Sequence, residues 1–244
     1  KEKGNAPHIL VMSATPIPRT LALIIHGDLD ISIIDEYPKG RQQIETYSVT
    51  SSYHERVYNY IKKHINEGRQ GYIVCPLVEE GEENSGLISA EEYYEKLSQG
   101  EFENYRLGLL HGKMKAAEKE KVMRAYSEGK IDLLIATTVI EVGIDVPNAA
   151  IMVIENAERF GLSALHQLRG RVGRGKSQSY CILVSDSNSD SAKERLKLMC
   201  KTSDGFEISK YDLKERGPGD FFGDRQHGLP PLKTSDLISD SHLL

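Results

Sequence analysis

Short apolar runs alternate with stretches of helical spacing over most of this chain. Gly71–Val78, Arg106–His111, Ile131–Thr137, Ala150–Asn156 and Tyr180–Ser185 are brief and rich in β-branched or large apolar residues, so each predicts a buried strand. Between them the period changes. Tyr53–Glu67 carries Val57, Tyr60, Ile61, His64 and Ile65 on one helical face and closes at Gly68. Glu91–Ser98 predicts a shorter helix, and Ala116–Glu128 another that Gly129 ends. Buried strands separated by helices imply an α/β fold with a mostly parallel sheet and flanking helices. Ligands of such sheets gather beyond the carboxyl ends of the strands, where the polar motifs are expected to fall.

The two ends read differently. His8–Thr15 predicts a strand between Pro7 and Pro16, and Ile17–His26 a helix with Pro18 in its first turn. Asp28–Glu36 alternates weakly, and Pro38–Arg41 has the composition of a linker. Beyond Ser185, Ser191–Thr202 and Phe206–Lys214 predict two helices joined across Asp204 and Gly205, together a helical hairpin. Glycines at 217, 219, 223 and 228 with Pro218 predict that Arg216–Gly228 is a loop. The chain thus divides into 1–37, 41–190, 191–228 and a patternless tail, 229–244.

Composition narrows the class. A chain of 244 residues with 39% hydrophobic and 27% charged residues is that of an ordinary globular protein. No apolar run approaches the roughly 18–20 residues of a membrane span, and no signal peptide opens the chain. Cys75, Cys181 and Cys200 are odd in number and far apart, which reads as reduced thiols in a cytoplasmic protein. The eight histidines show no HExxH spacing, and no metal site is indicated. The net charge of −5 neither supports nor excludes a nucleic-acid partner, because Glu79, Glu80, Glu82 and Glu83 supply much of the excess.

Candidate chemistry concentrates in Gln167-Leu168-Arg169-Gly170-Arg171-Val172-Gly173-Arg174. As a helix, this run would put Gln167, Arg171 and Arg174 on one face, while Gly170 and Gly173 would let another surface come close. Two guanidinium forks beside an amide can grip the phosphates of a transferred group. Three further segments precede it: Ser13-Ala14-Thr15, the strand end Ala136-Thr137-Thr138, and Glu141-Val142-Gly143-Ile144-Asp145. Singly, each has an ordinary reading as a turn or strand end; together and in this order they form a pattern.

That pattern resembles the second half of a superfamily-two helicase motor, in which two RecA-like (P-loop NTPase-type) domains close on ATP with nucleic acid lying across both. The resemblance implies that Arg171 and Arg174 act as arginine fingers on the γ-phosphate, a contribution of about 10³–10⁵ in rate, with Gln167 positioning the catalytic water. It implies nucleotide contacts from Gly143 and Asp145, with Asp145 orienting a finger or meeting the ribose. Thr137 and Thr138 would hold DNA phosphates. Ser13 and Thr15 would belong to the coupling motif that ends the first motor domain. Met12–Leu23, Tyr72–Glu80, Leu109–Gly112, Thr137–Pro147 and Arg216–Gly228 narrow the resemblance to the RecG family of branch-migrating DNA helicases. In that family a helical hairpin and translocation loop follow the motor core, and Arg216, Arg225 and Gln226 match the loop's polar positions. Gly217-Pro218-Gly219 and Glu79-Glu80 favour this family, whereas His227 departs from it mildly.

Ahead of Ser13 the sequence holds no G-x-x-x-x-G-K-[ST] phosphate loop and no Asp-Glu pair following an apolar strand. The resemblance therefore makes residues 1–37 a remnant of the first RecA-like domain, 41–190 the second, 191–228 the hairpin and loop, and 229–244 a truncated tail. ATP with Mg would serve the longer protein, with the Mg ligands outside this chain. The partners would be branched double-stranded DNA and the missing first motor and wedge domains of the same polypeptide, with no membrane. The isolated chain would not hydrolyse ATP. Two other readings stay open: the motor of a transcription–repair coupling factor that displaces RNA polymerase, and a non-catalytic nucleic-acid-binding module.

Overall fold

Five of the six strands described in the computed structural model begin within two residues of an apolar run in the sequence. The structure describes residues 42–77, 89–137 and 145–222, with single positions at 10, 12, 32 and 34. The chain divides into two units, residues 35–203 and residues 1–34 with 204–244.

In the larger unit the strands are β1 (Glu45–Val49), β2 (Gln70–Val74), β3 (Leu107–Leu110), β4 (Leu133–Ala136), β5 (Ala149–Ile154) and β6 (Tyr180–Val184). They form one sheet in the order β1-β6-β5-β2-β4-β3, and every neighbouring pair is parallel. The helices are α1 (His54–Asn66), α2 (Ala90–Ser98), α3 (Ala116–Ser127), α4 (Leu162–Arg169) and α5 (Asp190–Lys201). Strands β2, β4 and β5 are buried along their whole length, so they read as continuous apolar runs and not as alternating ones. Ile73, Leu133, Ile135, Ile151, Val153, Ile182 and Val184 pack beneath Val57, Ile61 and Ile65 of α1 and Tyr93 and Leu97 of α2. Tyr72 points to the opposite face, where its ring lies 4.9 Å from that of Tyr126 in α3. α5 packs against α4 and β1.

β1 was not legible as a strand. It is an edge strand, bonded only to β6, and three of its five residues are exposed. Its sequence therefore carries little of the apolar signal that marks the central strands. The predicted strand 8–15 and helix 17–26 lie outside the described residues, apart from positions 10 and 12.

In the second unit the structure describes one helix, α6 (Gly205–Phe222). Asp204 starts it, accepting from Phe206 N at 2.8 Å through Oδ1 and from Ile208 N at 3.2 Å through its carbonyl. The helix runs eight residues past the predicted end at Lys214, so Arg216 and the Gly217-Pro218-Gly219 segment are helical and not part of a loop. Pro218 has no N–H to give to Lys214, but its fixed φ is itself a helical value. Residues 223–228 of the predicted loop lie outside the described residues.

Candidate functional site

The predicted site residues fall on opposite edges of the sheet. Asp145 precedes β5 and Arg174 precedes β6; both strands are parallel, so both residues stand at the amino edge. α4 brings the chain to this edge because it runs back, antiparallel to the strand before it. Arg174 Nη1 donates to Asp145 Oδ1 at 3.3 Å, and its Nε donates to the Gly170 carbonyl at 3.2 Å. The second bond satisfies one of the carbonyls that α4 leaves open at its end. Both members of the ion pair are exposed, Arg174 by 36% and Asp145 by 57%, so the pair adds only about 0–1 kcal/mol to stability. Its effect is to aim the guanidinium. Arg171 is half-buried, and it has no ion-pair or hydrogen-bond partner among the described residues.

Two expectations change here. The polar motifs do not all gather at the carboxyl edge, because the Asp145 and arginine segments are lead-ins to strands, not exits from them. Nor does one helical face hold Gln167, Arg171 and Arg174. α4 ends at Arg169, Gly170 caps it, and Gly173 takes φ +76°. A left-handed residue breaks the helical register, so Gln167 lies in the last turn while both arginines lie in the turn beyond. No hydrogen bond joins Gln167 to either arginine among the described residues. The close approach expected at Gly170 is absent, since a Cβ there would come no nearer than 3.4 Å to anything. It occurs at Gly173, where a Cβ would stand 2.8 Å from Ile44 Cγ1.

At the carboxyl edge, Thr137 follows β4 and is buried, and its Oγ1 has no hydrogen-bond partner among the described residues. Nearby strand ends enclose a cavity of about 160 Å³ lined by Ser51, His54, Cys75, Tyr93, Glu155 and Asp186, among others. Glu155 Oε1 accepts from the Tyr93 hydroxyl at 2.7 Å, and His54 Nε2 lies 3.0 and 3.1 Å from the two carboxylate oxygens. Because the Tyr93 proton is committed to Glu155, Tyr58 donates to Tyr93 in their 2.7 Å contact. The bond to Glu155 raises the pKa of His54 despite partial burial. Burial pushes the Tyr58 hydroxyl up to about 12, and burial beside Glu155 raises the Cys75 thiol far above its usual range. Asp186 accepts from Ser51 N at 2.9 Å, and hydrogen bonding to the Ser51 side chain and backbone holds its pKa down. Two carboxylates facing one small cavity repel phosphate, and a thiol kept protonated is a poor nucleophile. Phosphate chemistry fits the amino edge, where the guanidinium groups are.

Ser13, Thr15, Thr138, Gly143, Arg225 and Gln226 lie outside the described residues, and Arg216 is described only as part of the α6 backbone. Sequence reading passed over Arg169 within the very run it singled out. Arg169 is buried and donates from Nη1 to the carbonyls of Met199 (2.8 Å) and Thr202 (2.9 Å). It also passed over Gly175 and over Glu155, whose one signal was a carboxylate directly after an apolar strand.

A family model described as the helicase conserved C-terminal domain matches residues 53–176. The chain is 52% identical over 242 residues to the ATP-dependent DNA helicase RecG of Synechocystis sp., an alignment covering 99% of this chain and 29% of that protein. It is 50% identical over 244 residues to the protein of the same name from Bacillus subtilis, covering 100% of this chain and 36% of that one. A solved structure of RecG bound to a three-way DNA junction superposes with a TM-score of 0.76 at 49% identity, over 95% of this chain and 30% of that chain. The chain thus spans about a third of the length of the curated relatives it matches. Its parallel six-stranded sheet with flanking helices is the RecA-like fold of helicase carboxy-terminal domains. No helix among the described residues is long and apolar enough to cross a membrane.

Proposed function

The chain belongs to the family of the helicase conserved C-terminal domain, and from that premise we propose that it is the carboxy-terminal part of an ATP-dependent double-stranded-DNA translocase of RecG type. In this reading the longer protein is cytoplasmic and remodels branched DNA, such as stalled forks and Holliday junctions, in recombination and repair. Residues 41–190 form its second motor domain, and 191–228 the segment that links turnover to movement on DNA.

The observation that carries the proposal is the exposed Arg174 guanidinium, anchored on Asp145 and Gly170 and preceded in the same turn by an Arg171 without a partner among the described residues. With Nε and Nη1 engaged, Arg174 has Nη2 left to donate to a phosphoryl oxygen. Arg171 is able to close on the same group as charge grows there. Gln167 orients the attacking water, and Gly143 and Asp145 form the side of the turn that faces the nucleotide. ATP with Mg would supply the transferred phosphoryl group in the longer protein; this chain contributes the cations that neutralise it. Thr137, on the opposite edge, and Thr138 hold a DNA phosphate, and a Thr137 hydroxyl without a partner among the described residues supports that assignment. Ser13, Thr15, Arg216, Arg225 and Gln226 pass the closure of the motor to the DNA.

The test is the ATPase of the longer protein with a three-way junction or with linear duplex of equal length. Stronger stimulation by the junction is expected. Equal stimulation by plain duplex would redirect the assignment to a polymerase-displacing translocase. Hydrolysis by neither would leave a nucleic-acid-binding module.

A further inference from the structure

The turn that carries Arg174 rests on a backbone shelf, and the shelf is part of the segment that carries Asp145. A Cβ on Gly175 would stand 2.4 Å from the Pro147 carbonyl oxygen and 3.4 Å from its carbon. The obstruction is backbone, so no side-chain rotation relieves it.

Both sides of the contact are pinned. On the shelf, Ala149 N donates to the Val146 carbonyl at 3.0 Å, Asn148 Nδ2 to the Gly68 carbonyl at 2.8 Å, and Gln70 N to the Asn148 carbonyl at 3.1 Å. On the turn, Gln178 Nε2 donates to the Gln43 carbonyl at 2.7 Å, and Arg69 Nη1 reaches the Gln178 carbonyl at 3.3 Å. Gly173, at φ +76°, is wedged on Ile44. Neither strand lead-in can retreat without breaking these bonds. Only a residue lacking Cβ brings the two backbones close enough for Arg174 to meet Asp145.

We propose that Gly175 is a positioning residue for the Arg174 guanidinium: its bare Cα against the Pro147 carbonyl sets the separation across which Arg174 and Asp145 pair. This rests on the proposed role of Arg174 in ATP hydrolysis. A methyl group at 175 would push the finger turn off the shelf by on the order of 1 Å, and a misplacement of that size costs about 10²-fold in a chemical step.

The experiment measures DNA-stimulated ATP hydrolysis by the longer protein carrying Gly175→Ala. The expected result is a fall in kcat of about 10–100-fold. KM for ATP and affinity for the DNA junction are expected to stay near wild type, while the melting temperature falls because the methyl strains the pinned lead-ins. In a double-mutant cycle with Asp145→Asn, the two losses should overlap and not multiply, because both act through Arg174. Should the Gly175→Ala protein fail to fold, Pro147→Gly loosens the shelf from the other side without adding an atom, and it should lower kcat with the same overlap. Wild-type kcat in the variant that folds, or losses that multiply with Asp145→Asn, would overturn the inference. An Arg174→Ala protein that still hydrolyses ATP at the wild-type rate would instead overturn the finger assignment itself.

Discussion

Arg169 Nη1 donates to the Met199 carbonyl at 2.8 Å, joining the last turn of α4 to the last turn of α5 through a buried guanidinium. The same nitrogen reaches the Thr202 carbonyl at 2.9 Å, and Nη2 meets His166 Nδ1 at 3.0 Å. Carbonyls at the end of a helix lack intrahelical partners, and a cation there is favoured by the helix dipole as well.

Arg169→Met should therefore destabilise the fold by roughly 2–4 kcal/mol, since it removes the buried guanidinium that donates to both carbonyls. Arg169→Lys should recover only part of this, because an ammonium lacks the second guanidinium nitrogen that meets His166 Nδ1. Urea denaturation of the three proteins measures the ranking.

Arg171→Ala and Arg174→Ala should each lower ATP hydrolysis by the longer protein about 10³-fold or more, with junction binding retained. Asp145→Asn should cost less than Arg174→Ala, since it frees the guanidinium without removing it. Steady-state kinetics beside a binding titration separate the two effects. Equal loss of hydrolysis and binding would make the arginines structural.

Thr137→Val replaces a buried hydroxyl that has no partner among the described residues with an isosteric methyl. Stability should stay within about 0.5 kcal/mol of wild type or rise, because no intramolecular bond to that hydroxyl is described. Unwinding of junctions should fall. Melting curves and a strand-separation assay check the pair of outcomes.

The His54–Glu155 contact gives stability a pH dependence of known sign. The folded state raises the His54 pKa, so it holds that proton more tightly than the unfolded chain does. The contribution is fully present below the unfolded pKa of about 6.5 and is lost as pH rises through the folded value. His64 works in the opposite sense, because burial lowers its pKa and its contribution is lost as pH falls. Comparing wild type with His54→Gln across pH 5.5–8.5 isolates the first term: the variant should lose less stability than wild type as pH rises.

How far the sequence could be read follows from how local each signal is. Ile73, Leu133, Ile151 and their neighbours announce central strands because burial on both faces leaves no polar position among them. Tyr47 and Ser48 of β1 do not, since one side of an edge strand is left to solvent. The arginine run was legible as chemistry, because residue type and spacing carry it. Its geometry was not: Gly173 turns left-handed where the chain meets Ile44, far away in sequence and adjacent in space.

By itself the sequence determined the order of the helices and of every strand but β1, the α/β class, and the motif set that marks a helicase carboxy-terminal domain. Those features repeat over a few residues, and the covalent chain alone preserves them. Tertiary structure decided which edge of the sheet each motif occupies, that α4 stops at Arg169, and that Arg174 meets Asp145 across 29 positions. It also decided that Glu155 is satisfied by His54, 101 residues away. These depend on strand order and on backbones meeting at distances a single Cβ would change, and no local period encodes either.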